Sequence, residues 1–233
     1  MNYHNGLIFV LLYVLRLRLS FSTDSAVRFA TGTSIGDALQ QACSSGLHPH
    51  CYAFFLHLLT VLAQHNFFQS QQLPLVKLLS RIHDQDLNID ASVRYAWAKS
   101  CLALTKHSNV IHVLSREDRF TDILKELCSD SSIFVQEIAH NLIGSLILHL
   151  SQENMDKAKV ERLIEEFITK PLRVKNQQHG ALQIINTMFC HDISKTHCLL
   201  ENTVTSLINF SFLLSFQLRK TWISVIEPLL SNK

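Results

Sequence analysis

The sequence predicts an all-α chain, an armadillo/HEAT-type α-solenoid in which helical repeats stack into a superhelix. Three observations predict it. A short signature, Ala-x-x-apolar-apolar, recurs as Ala98-Lys99-Ser100-Cys101-Leu102, Ala139-His140-Asn141-Leu142-Ile143 and Ala181-Leu182-Gln183-Ile184-Ile185, at intervals of 41 and 42 residues. That is the period of two- and three-helix repeats, which bury their apolar faces only by stacking on one another. Asp90 and Asp130 each stand two residues before a Ser and three before a β-branched residue, so the same helix start is written twice. Finally, 6 Gly and 4 Pro among 233 residues are too few for the many turns of an all-β fold.

Along the chain, residues 1–33 read as an apolar start followed by a Ser/Thr-rich linker outside the repeat core. Residues 34–233 read as one helical-repeat domain, a partial solenoid. Ser34-Ile35-Gly36-Asp37 fits a capping box that opens a helix to about Cys43, and Ser44-Ser45-Gly46 stops it. Tyr52 to Gln64 is a strongly apolar helix, and Leu73 to Ile82 a shorter one. Asp90-Ala91-Ser92-Val93 starts the first signature helix, running to about Lys106. Ser115-Arg116-Glu117-Asp118 precedes a helix from Phe120 to Cys128. Asp130-Ser131-Ser132 caps the next, to about Leu150.

Asp156 to Ile168 is the clearest amphipathic segment. Val160, Leu163, Ile164, Phe167 and Ile168 follow helical spacing, with Lys157/Glu161 and Arg162/Glu166 as i,i+4 pairs on the opposite face. Pro171 suits the first turn of a following helix, expected to run to Phe189. Residues 195–214 and 216–230 give the last two helices. Leu207 to Leu218 is nearly all apolar, so further repeats or a partner surface are expected there.

Advancing about 100° per residue from each signature Ala separates the faces. The Ala and the two residues three and four positions later form the core stripe. Opposite it lie Ser100, Asn141 and Gln183, flanked two residues before each Ala by Ala96, Glu137 and His179, and five residues after by Ala103, Gly144 and Asn186. This strip is small or neutral-polar and suits a wall approached by another helix or by a partner backbone. Ser100, Glu137, Asn141, His179 and Gln183 are therefore the candidate partner-contact residues.

Charge and motifs limit the alternatives. The formal net charge is +2 with no Lys/Arg cluster, so direct nucleic-acid binding through phosphate neutralisation is not expected. The 6 Cys mostly occupy apolar helical positions and read as reduced, buried thiols. Cys190-His191 and His197-Cys198 lack the CxxC spacing of structural zinc sites. No phosphate-binding loop, dinucleotide glycine pattern, nucleophile elbow or His-Glu-x-x-His is present. No catalytic, cofactor or metal site is expected, and no enzyme activity. Trp97 has no counterpart at Ile138 and Gly180, which argues against an importin-like Trp ladder and for a core Trp. Gly6 to Leu15 is an apolar run of ten, too short for a membrane span. It supports the alternative of a secretory or membrane-associated helical protein directed by residues 6–22, although Met1 to Asn5 carries no Lys or Arg.

The stretch Ser92-Val93-Arg94 with Trp97, the run through Leu102, Leu104 and His107, Asp130-Ser131-Ser132-Ile133-Phe134-Val135, and Ala181 to Phe189 (ALQIINTMF) together carry a family likeness. Over roughly residues 50–200 the chain resembles the amino-terminal region of the ATM-kinase activators that associate with the breast-cancer susceptibility protein. The resemblance implies a non-enzymatic helical scaffold in the nucleus and cytoplasm. Its implied partners are phosphatidylinositol-3-kinase-like kinases in DNA-damage signalling, the breast-cancer susceptibility protein and Integrator subunits, with no cofactor and no membrane. Family members are several times longer. Their short carboxy-terminal tail, which engages the Integrator endonuclease, has no counterpart before Lys233.

Overall fold

A computed structural model of the chain describes residues 49–62, 79–80, 82, 90–105, 115–116, 119–152, 157–174, 176–196, 198–200 and 223. The readings of residues 1–43, most of the Leu73–Ile82 segment and most of the two closing helices lie outside the described residues. Among those described, the regular elements are helices and there is no strand. The elements are α1 (Pro49–Leu62), α2 (Ala91–Leu104), α3 (Phe120–Cys128), α4 (Ile133–Gln152), α5 (Lys157–Ile164), a π-helical turn (Glu165–Thr169), α6 (Lys170–Leu172) and α7 (Gln178–His191). The chain divides into two compact units, Met1–Asp122 and Ile123–Lys233.

In the first unit α2 begins where Asp90 predicts. Its side chain accepts from Ser92 N–H at 2.8 Å, satisfying one of the amides that a helix start leaves unpaired. Tyr52, Phe55, Leu56 and Leu59 of α1 are buried with Val93, Trp97 and Cys101 of α2. Trp97 is core, as its isolation in sequence suggested. Its Nε1–H donates to Leu79 O at 2.9 Å, the Tyr52 hydroxyl donates to the same carbonyl at 3.4 Å, and its ring sits 6.0 Å from that of Phe120. Both polar handles are thereby satisfied inside an apolar core.

The second unit is built on α4. Its start repeats the first: Asp130 accepts from Ser132 N–H at 2.8 Å, and Gln136 Nε2–H donates back to Asp130 O at 2.6 Å. Val135, Ala139, Leu142, Ile143, Leu146, Ile147 and Leu150 are buried, so the core stripe falls on the signature as expected. By length and composition alone, Ile133–Ser151 could cross a membrane, but 56% of that window is buried inside the protein and α4 is a core helix. Helix α7 lies along α4 and runs parallel to it. His140 meets Gln183, Asn141 meets Thr187, and Gly144 faces Ile184 O and Thr187. A Cβ at Gly144 would lie 3.0 Å from that carbonyl oxygen, so only a residue this small lets the two backbones approach so closely.

Helix α5 buries Val160, Leu163 and Ile164, and the π-helical turn after it buries Phe167 and Ile168, which completes the predicted stripe. Two expectations downstream need correction. The helix does not give way to one long helix from Pro171 to Phe189. It widens into the π turn, where Lys170 N–H bonds to Glu165 O five residues back, and carries Pro171 in α6. It then stops, and α7 starts afresh at Gln178. Pro171 has no N–H and its ring crowds the preceding turn, so a regular α ladder is not continued through it; a single π turn is a common way to absorb such a fault. The expected Arg162/Glu166 pair is replaced: Glu166 pairs with Lys170 and with Lys125 at 3.0 Å. Lys157 and Glu161 do approach, at 3.8 Å and well exposed, where such a pair adds little.

Candidate functional site

The five sequence-predicted contact residues fall into two groups. Ser100 is not on an outward face. It is fully buried, with its Oγ against Leu56 O of α1, 2.8 Å from Ala96 O and 3.2 Å from Thr60 Oγ1. Ala96 beside it is buried too. The small polar strip of α2 is the seam against α1, because a helix lying alongside occupies the side opposite the signature stripe.

The other four lie in the second unit, near the α4–α7 seam. Glu137 is exposed on α4. Asn141, also exposed, accepts from Thr187 Oγ1 at 2.7 Å. Gln183 is half-buried, and its Oε1 lies 2.7 Å from His140 Nδ1. His179 is exposed in the first turn of α7. Glu137, His179 and Gln183 act on His140, which is 6% exposed. Burial pulls its ring below the usual histidine range, Gln183 and Glu137 oppose that shift, and His179 adds to it. His140 Nε2 is aimed at Gly180, where a side chain would not fit.

A cleft of 610 Å³ opens beside this seam. Phe167, Ala181 and Ile184 give it an apolar floor, Pro171 and Val174 one wall, and Lys125, Lys170 and His179 basic groups. The Glu166 carboxylate also lines it and carries both lysines. Its hydrogen bonds from Lys170 and then Lys125 hold it down to about 2, so it stays ionised wherever the protein is folded near neutral pH. The amino terminus of α7 opens into the same cleft through Gln177, His179 and Gly180. Its N-cap, Gln177, makes no side-chain capping bond, so the positive end of the helix is left to the cleft. Cys128 lines it as well, but burial pushes its thiol up to about 12. Burial likewise raises the Cys101 thiol in the first unit; protonated thiols of this kind are poor nucleophiles and poor metal ligands.

Of the residues that sequence reasoning singled out as partner contacts, His179 lines this cleft and Ser100, Glu137, Asn141 and Gln183 do not, while Lys125, His140, Glu166, Lys170 and Gly180 line it without having been singled out. Two signals were available. Glu166 and Lys170 stand at i,i+4, and Gly180 falls in the first turn of a signature helix, where a glycine has no turn to make.

Comparison with curated proteins gives no match, and neither does comparison with solved structures. A family model, described as Integrator complex assembly factor BRAT1, matches residues 38–195. That span covers well over half of the chain, including α1 to α7. The chain therefore belongs to the family of Integrator complex assembly factor BRAT1.

Proposed function

We propose that this chain is a non-enzymatic scaffold of the α-solenoid kind that holds protein partners during Integrator assembly and in DNA-damage signalling through ATM-like kinases. The observation that carries the reading is the family match over residues 38–195. The partners are Integrator subunits, phosphatidylinositol-3-kinase-like kinases and the breast-cancer susceptibility protein. The places of action are nucleus and cytoplasm.

The solenoid part rests on separations along the chain. Thr60 and Ser100 are 40 residues apart, Leu56 and Ser100 44, His140 and Gln183 43, Asn141 and Thr187 46. Helix pairs in both units thus meet at about the sequence period, which is how stacked repeats touch. Protonated thiols and a carboxylate locked between two lysines suit a binding surface better than a reaction centre. The test is affinity purification of the tagged full chain from cells, read by quantitative mass spectrometry. Enrichment of Integrator subunits over a tag-only control is expected; their absence would remove the main support for the reading.

A further inference from the structure

We propose that the cleft of the second unit receives an extended peptide segment of a protein partner that carries a carboxylate side chain next to an apolar one. The inference rests on the scaffold reading and supplies the chemistry of one of its docking surfaces.

Charge complementarity selects the occupant. Two ammonium groups, Lys125 and Lys170, face one carboxylate, Glu166, which leaves a net positive charge in the cleft. Each ammonium has three protons to give and shares only part of them with Glu166. Their side chains are 47% and 55% exposed, so a partner can reach them. The uncapped start of α7 adds a second positive element on the cleft wall, where an anion is favoured over a cation. His179 stands on the same turn. Glu137, the carboxylate that acts on His140, is not among the lining residues.

The apolar half of the match comes from Val174, 47% exposed in the cleft wall, together with Pro171 and the Phe167, Ala181 and Ile184 floor. A volume of 610 Å³ holds a few side chains and not a folded domain. An acidic side chain fits between the lysines and the α7 terminus, and the neighbouring apolar side chain covers Val174.

The test uses the full chain and fluorescein-labelled dodecapeptides. One panel has a single Glu beside Leu, Val or Phe, a second has Lys in place of Glu, and a third has phosphoserine. Fluorescence anisotropy at low salt should show binding to the Glu panel, none to the Lys panel, and weakening as salt rises. Lys125→Ala/Lys170→Ala should weaken Glu-panel binding by about tenfold or more, while Lys99→Ala in the first unit leaves it unchanged. Glu166→Gln removes the internal competitor and should tighten it.

If the double lysine variant does not fold by circular dichroism, Val174→Ser serves in its place, since an exposed position tolerates the change, and it should weaken binding severalfold. No binding to the Glu panel, binding to the phosphoserine panel alone, or equal binding by wild type and cleft variants would overturn the proposal. So would weaker binding by Glu166→Gln. Recovery of Integrator subunits by wild type and cleft variants alike would overturn the cleft assignment and leave the scaffold reading standing.

Discussion

Gly180→Ala probes the packing of α4 against α7 most sharply. A Cβ at that position would lie 2.5 Å from His140 Nε2 and 2.9 Å from Cε1, whereas non-bonded carbon contacts settle near about 3.5–4.0 Å. The ring must retreat by roughly 1 Å to recover contact distance. It is 6% exposed and held to Gln183 at 2.7 Å, so the retreat breaks that hydrogen bond. Stranding a buried polar group costs about 1–3 kcal/mol. Against it stands the helix preference of Ala over Gly, about 1 kcal/mol in a helix interior and less in a first turn such as this. The expected net loss is about 1–2 kcal/mol, measured by urea unfolding of the full chain with far-ultraviolet circular dichroism. With His140→Ala in place, the clash is gone, so adding Gly180→Ala should be neutral or stabilising, giving a coupling of about 1–3 kcal/mol in the cycle. Wild-type stability in Gly180→Ala, or the same penalty in both backgrounds, would refute the seam described here.

Other perturbations separate the remaining contributions. Leu142 is fully buried, and Leu142→Asp strands a charge at a cost of several kcal/mol; the helical signal of the second unit should be lost in circular dichroism. Asp130→Ala removes the acceptor for Ser132 N–H and should cost about 1 kcal/mol by urea midpoint, whereas the exposed Asn141→Ala should change stability by less than about 0.5 kcal/mol. For pH, burial holds His140 below its ordinary 6.5, so the unfolded chain takes up the proton first. The stability contributed by neutral His140 is complete above about pH 6.5 and is lost as pH falls from there toward the depressed folded value. His140→Gln should flatten melting temperature against pH in that window. Glu166, held down from 4.5 to about 2, contributes stability that is complete above about pH 4.5 and is lost as pH falls from there toward 2.

The sequence disclosed helices and their buried stripes where periodicity and caps agreed. Asp90 and Asp130 marked two starts, with the helices beginning at Ala91 and Ile133, and Val160 to Ile168 marked a buried face. The fate of the small polar strip could not be read from one helix at a time. A short polar residue at a position opposite the core stripe suits a solvent face and a helix–helix seam alike, and Ser100 turned out to lie in a seam, with Leu56 O beside it. The break after Leu172 was hidden because Pro171 is compatible both with starting a helix and with ending a distorted one. Lys125 joins the cleft through a contact 41 residues away in sequence, Glu166, which no local pattern encodes.

Proximity labelling by the full chain in cells, compared between wild type and Leu142→Asp, tests the central claim most directly. A folded helical surface that holds partners predicts that Integrator subunits and ATM-like kinases are labelled above background by wild type and fall to background in the variant. Equal labelling by both, or no enrichment by either, would contradict it.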